Sequence, residues 1–143
     1  MTPNESFAPL ADACRVGVAA LRSAGIPFVL AGSFAAWARG GPRPGKDLDF
    51  MVRPGDAEAA LAALEQAGMT PERPPEEWLV KAWHGEAMID IIFRPAGLEM
   101  THEVFERAEL MPVLAVETPV MALDDVLATK LMALDEHALD YGS

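Results

Sequence analysis

The sequence predicts an α/β (α+β) domain, a mixed β-sheet flanked by helices. Three observations carry this. Short apolar runs of strand length alternate with segments whose apolar residues recur at helical spacing, in the order α-β-α-β-α-β-β-α-β-α. Gly and Pro fall between these segments, where they act as punctuation. The chain has 143 residues, of which 51% are hydrophobic, enough for one domain with a buried core.

Residues 4–24 form the first predicted helix, with Leu10, Cys14, Val18 and Leu21 on one face, Gly25 as its C-cap and Pro27 ending the pattern. The continuous apolar run Ile26–Ala31 reads as a buried strand. Gly32-Ser33 opens a short helix, Phe34 to Arg39, and the Gly- and Pro-dominated stretch from Gly40 to Gly45 is a loop. Asp47–Val52 is the next strand. Pro54-Gly55-Asp56 is a turn with Asp56 as N-cap of the Ala-rich helix Ala57–Ala67, which Gly68 closes. Pro71 to Pro75 is a loop. Trp78–Trp83 and Ala87–Phe93 form a hairpin around His84-Gly85-Glu86, and Pro95-Ala96-Gly97 ends its second strand. A short helix over His102–Ala108, a strand over Val113–Val116 and a helix over Leu123–His137 complete the chain.

The 22 acids against 11 Lys+Arg give a net charge of −11. That balance argues against broad nucleic-acid backbone binding, which needs clustered cations. No run approaches the ~20 apolar residues of a membrane span, and no secretory signal is recognisable. The single Cys14 excludes an intramolecular disulfide and fits a reducing cytoplasm.

The chemistry lies in the acids. Asp47 and Asp49 are two residues apart on a predicted strand, so both face the same side while Leu48 and Phe50 face the other. Adjacent carboxylates raise each other's pKa, and a divalent cation offsets that cost; Mg²⁺ commonly takes one or two carboxylates plus substrate phosphates. Asp90 sits in the β-branched run Met88–Ile92, where an acid is expensive unless paired or coordinating. If its strand neighbours Asp47–Val52, it completes a cluster of three. The plainer alternatives are a solvated strand start for the pair and a surface partnership with Arg94 for Asp90. Gly32-Ser33 places free backbone N–H groups at a helix N-terminus, a geometry that binds phosphate, the alternative being a plain Ser N-cap. Arg39, Arg43, Lys46 and Arg53 lie within fifteen residues and could neutralise a triphosphate locally.

The run Phe28–Ser33, followed thirteen residues further on by Lys46 in Lys46-Asp47-Leu48-Asp49-Phe50, and the later Ile89-Asp90-Ile91 resembles the nucleotidyltransferase superfamily with the DNA polymerase beta-like fold. Leu127-Ala128-Thr129-Lys130-Leu131 is similar to the lysine-bearing helix of AbiEii-type toxins and related minimal nucleotidyltransferases. Together these cover residues 26–137. The resemblance implies transfer of a nucleoside monophosphate from an NTP to an acceptor hydroxyl with release of pyrophosphate. Asp47, Asp49 and Asp90 would be catalytic and hold two Mg²⁺ ions, with Mn²⁺ as the alternative metal. Gly32, Ser33, Arg43, Lys46 and Lys130 would bind the nucleotide. The acceptor is left open among small molecule, protein and RNA, and a homodimer or cognate antitoxin is the partner expectation. The chain stops soon after Lys130, where similar proteins continue, so it is expected to be one catalytic domain over residues 1–143 with its C-terminal part cut short.

Two rival functions remain. A sugar-nucleotide glycosyltransferase also uses Asp-x-Asp, but it explains neither Gly32-Ser33 nor Asp90. A non-catalytic nucleotide- or partner-binding domain could keep the same fold. His84, His102 and His137 match no metal spacing. Trp78 and Trp83 read as core or edge packing, with stacking on a base as the alternative. Met51, Met69, Met88 and Met100 read as core fillers, and Cys14 as inert.

Overall fold

The structure is a computed structural model that describes the backbone of residues 3–142 and the side chains of residues 7–132. Its elements are α1 (Pro3–Ser23), β1 (Val29–Ala31), α2 (Gly32–Ala38), β2 (Leu48–Met51), a 3-10 turn (Pro54–Asp56), α3 (Ala57–Gln66), β3 (Thr70–Glu72), β4 (Leu79–His84), β5 (Ala87–Ile92), α4 (His102–Arg107), β6 (Glu109–Val113), β7 (Val116–Val120) and α5 (Leu123–Gly142). The strands form one seven-stranded sheet in the order β3-β4-β5-β2-β1-β7-β6. Strand β2 runs parallel to β5, and β1 parallel to β7; the other neighbours are antiparallel. This is the mixed sheet flanked by helices that the pattern predicts.

The alternation of each central strand decides what its faces meet. Leu30, Leu48, Phe50, Ile89 and Ile91 share one face and are fully buried under α1 and α3. Contact there is close: a Cβ on Gly17 of α1 would stand 2.7 Å from Ile89 Cδ1 and 3.8 Å from Leu64 Cδ2 of α3. Each fully buried Leu, Ile or Phe contributes roughly 1.5–3 kcal/mol, so this layer is the main source of stability. The opposite face carries Asp49 and Met51 on β2 and Asp90 and Ile92 on β5. Helix α2 packs against β1, β2 and α5, and the bidentate pair Arg107–Asp125 (3.0 and 3.1 Å) ties α5 to α4.

Helices α1 and α3 end at Gly25 and Gly68, both with positive φ, as their sequences predict. In each, the N–H after the glycine donates back to the carbonyl five residues earlier, Ile26 to Leu21 at 3.1 Å and Met69 to Leu64 at 3.0 Å, which satisfies the last-turn acceptors.

Four expectations need correction. The predicted strand Ile26–Ala31 narrows to Val29–Ala31, because Ile26 and Pro27 carry the chain out of the α1 cap. The predicted loop Pro71–Pro75 begins with an edge strand, Thr70–Glu72; Pro71 is tolerated because β3 has only β4 as a neighbour. The single strand expected over Val113–Val116 is instead the tip of the β6–β7 hairpin, whose two turn residues, Leu114 and Ala115, have φ of 51° and 65°. Asp56 precedes α3 but makes no side-chain cap; its carboxylate accepts from Arg53 Nε at 2.9 Å. The side chain of His137 lies outside the described residues.

Candidate active site

Strand β1 ends at Ala31 and the chain turns at once into α2. Ala31 lies opposite Asp49 of β2, Asp49 lies beside Asp90 of β5, and Asp90 lies opposite Lys81 of β4. Residues in register share a face, so Asp49, Asp90 and Lys81 form one row across three strands. Asp90 is therefore the neighbour of Asp49 that the acids require, although 40 residues lie between them in sequence.

Gly32 closes this row on the β1 side. A Cβ there would fall 2.2 Å from Asp49 Oδ2, and its φ is +65°. Only glycine fits both the backbone and the approach. The N-cap of α2 is Ala31 in extended conformation, with no side-chain cap, so Ser33 sits inside the first turn and is not the N-cap. Its partly exposed hydroxyl and the free N–H groups of that turn remain available to a phosphate.

Asp47 immediately precedes β2 and is exposed, while Asp49 is partly buried. Burial, the charge of Asp90, a hydrogen bond to Asp90 and the charge of Asp47 together push the Asp49 carboxyl up to about 8. Lys81 opposes this from the far side of Asp90. Its Nζ donates to Asp90 Oδ1 at 2.9 Å, with side chains 22% and 15% exposed respectively. Burial works against the Lys81 charge, but the hydrogen bond and charge of Asp90 outweigh it and leave its pKa raised.

Lys81 is the residue that sequence reasoning missed, and it, not the Arg94 of the plainer alternative, pairs with Asp90. Its signal was a lone cation within the apolar strand Leu79–Trp83, alternating with Leu79 and Trp83 on one face. The cationic rim is largely dispersed. Arg39 pairs with Glu109 at 2.8 Å and Arg53 with Asp56 at 2.9 Å. The guanidinium of Arg43 lies 4.9 Å above the Phe7 ring. Lys46 and Lys130 are exposed. Cys14 is wholly buried and its thiol is pushed up to about 11 by burial, as an inert core residue should be. His84 bonds Asp12 at 2.6 Å and His102 bonds Glu106 at 2.7 Å, which gives both structural partners.

One strand step beyond the carboxylates, Met51 and Ile92 floor a cleft of about 320 Å³, walled by Trp78, Arg94, Pro95, Ala96 and Thr129. Trp78 is 46% exposed and lines the cleft, so it is not core packing. Trp83, by contrast, donates from Nε1 to Glu72 at 2.8 Å.

The donor set suits a hard divalent cation. Asp49 and Asp90 are hydrogen-bonded to each other, the charge of Asp47 acts on Asp49, and glycine at position 32 keeps any side chain off Asp49 Oδ2. Among the described residues, no three His, Cys, Asp or Glu side chains already converge at metal-binding geometry.

No family model matches the chain, and no curated protein matches it. Solved structures do. A protein of Thermotoga maritima provisionally assigned as a nucleotidyltransferase superposes with TM-score 0.66 at 13% identity, covering 90% of this chain and 85% of that one. The antibiotic-resistance factor ANT(2″)-Ia, in complex with adenylyl-2″-tobramycin, gives TM-score 0.57 at 18% identity over 79% and 68%. The lincosamide antibiotic adenylyltransferase LnuA, lincomycin-bound, gives 0.52 at 13% over 75% and 77%. The fold is thus a minimal nucleotidyltransferase fold, as the motifs imply. Among the described residues no helix is long and apolar enough to cross a membrane.

Proposed function

We propose that the chain is a metal-dependent nucleotidyltransferase that moves a nucleoside monophosphate from an NTP to an acceptor hydroxyl and releases pyrophosphate. The observation that carries this is the in-register row of Asp49 and Asp90 on parallel neighbouring strands, with Gly32 abutting Asp49. Asp47 and Asp49 would hold Mg²⁺, or Mn²⁺, with Asp90 beside them. When bound, the ion supplies charge neutralisation on the triphosphate. Gly32 and Ser33 present N–H and hydroxyl donors to the outer phosphates. Asp90 accepts the acceptor's proton, and positioning with charge stabilisation carries the rest. Lys46 and Lys130, both exposed, are free to reach phosphate oxygens; Arg43 would first have to leave Phe7.

The acceptor is best read as a small-molecule hydroxyl. The net charge of −11 disfavours RNA, and two fold neighbours carry antibiotics or their adenylylated products. The cleft floored by Met51 and Ile92 would take an apolar ring, with Trp78 as the stacking surface. A partner protein or second copy would have the exposed row Leu123, Leu127 and Leu131 of α5 to dock on.

The test is incubation with labelled NTPs, Mg²⁺ and candidate acceptors. Wild type should release pyrophosphate and label an acceptor, and Asp49→Asn should do neither while keeping its circular dichroism spectrum. Activity retained in Asp49→Asn would sink the proposal. The exposed position of Asp47 and the lack of a ready-made three-ligand set favour one second reading, a nucleotide-binding domain without turnover. Metal-dependent NTP binding by calorimetry, with no pyrophosphate released for any acceptor, would establish it.

A further inference from the structure

Lys81 is the cation that the structure builds permanently into the carboxylate row. We propose that its ammonium takes the place of a second divalent ion, so that the centre loads a single metal at Asp47 and Asp49; this rests on the nucleotidyltransferase reading above.

Three features of the site carry it. First, Lys81 Nζ lies 2.9 Å from Asp90 Oδ1, and neither side chain is more than 22% exposed. The pair is fixed by strand register, since Lys81 and Asp90 are directly opposed on β4 and β5. Second, the carboxylate that hydrogen-bonds the ammonium is Asp90, while Glu72 and Asp47 act on it through charge alone. Glu72 lies opposite Lys81 on β3, but its carboxylate accepts from Trp83 Nε1 at 2.8 Å. The other close atom is the weak acceptor Met88 Sδ at 3.6 Å. Third, a carboxylate has only two oxygens. With Oδ1 given to Lys81, a divalent ion on the other oxygen of Asp90 would stand within about 5 Å of the ammonium. That ion would have to share Asp90 with an ammonium already bonded to it, and the two like charges oppose each other. Asp90 is therefore held by an internal cation, and the remaining carboxylates, Asp49 and Asp47, are left for the metal. In this arrangement Lys81 is a positioning residue: it orients Asp90 toward the acceptor and supplies the charge that a second ion would otherwise bring.

The experiment counts ions. Mn²⁺ bound per chain is measured by electron paramagnetic resonance in the presence of a saturating non-hydrolysable NTP analogue. Wild type is expected to bind one. Lys81→Met should bind two, because Asp90 is released, and its turnover should become second order in free Mn²⁺ where wild type is first order. Lys81→Arg keeps the charge and should still bind one, with kcat lowered and KM for the NTP little changed. Two Mn²⁺ in wild type, or one in both wild type and a folded Lys81→Met, overturns the inference and leaves the nucleotidyltransferase reading standing. Should Lys81→Met fail to fold, Lys81→Gln serves under the same criteria. No Mn²⁺ in wild type with the analogue bound overturns both.

Discussion

At the scale of single residues, the site combines two conflicts that a stable protein would otherwise avoid. Asp49 is a buried acid beside another acid, and Gly32 sits on it with positive φ. The pKa of about 8 lies above the ordinary 3.8, so the native state keeps a proton that the unfolded chain has already lost between those values. The contribution of Asp49 to metal-free stability should therefore be full below about pH 4, fall by at most ~1.4 kcal/mol per unit as pH rises to about 8, and then level off. Asp49→Asn should flatten that slope, and saturating Mg²⁺ should reduce it in wild type; equal slopes in urea titrations of the two proteins would contradict the assignment. Gly32→Ala should cost about 2 kcal/mol or more, from backbone strain and the collision with Asp49 Oδ2, and should abolish transfer. Both residues were legible in the sequence, because glycine before a helix and Asp-x-Asp are local patterns. Lys81 was not, because its meaning depends on which strand lies beside β4, and that is set by tertiary pairing.

At the scale of elements, legibility follows the same line. The helices α1 and α3 and the β4–β5 hairpin follow from apolar spacing and from Gly25, Gly68 and Gly85 at their ends. The β6–β7 hairpin escaped notice because its turn residues are Leu114 and Ala115. A two-residue turn with both φ positive prefers Asn-Gly or Asp-Gly, and nothing in Leu-Ala announces it. Arg39 and Arg53 are taken from the expected cationic rim for a related reason: sequence proximity says that they are near the loop, but each finds a nearer acid. The same turn yields a prediction. Replacing Leu114-Ala115 by Asn-Gly should raise stability by about 1–2 kcal/mol in chemical denaturation, and leave nucleotide binding unchanged, since the tip belongs to the opposite edge of the sheet from β4 and Lys81.

At the scale of the whole molecule, a strongly acidic protein is proposed to bind a strongly acidic substrate. With a net charge of −11, long-range repulsion should slow the approach of an NTP, and added salt should screen it. The association rate for Mg-NTP in stopped flow should rise with ionic strength up to about 0.15 M, where a basic nucleotide-binding protein would show a fall. The sheet order carries a second consequence, for how the molecule comes together. The segment β1–α2–β2 delivers Gly32 and Asp49, the β4–β5 hairpin delivers Lys81 with Asp90, and only the parallel β2–β5 pairing unites them. Each half is built from contacts close in sequence, whereas their union spans α3 and is the slow kind of contact to form. The hairpin can thus arrive with Asp90 already neutralised by Lys81, so the lysine that serves the finished site would also ease the step that makes it, and without it two bare carboxylates would meet at the docking barrier.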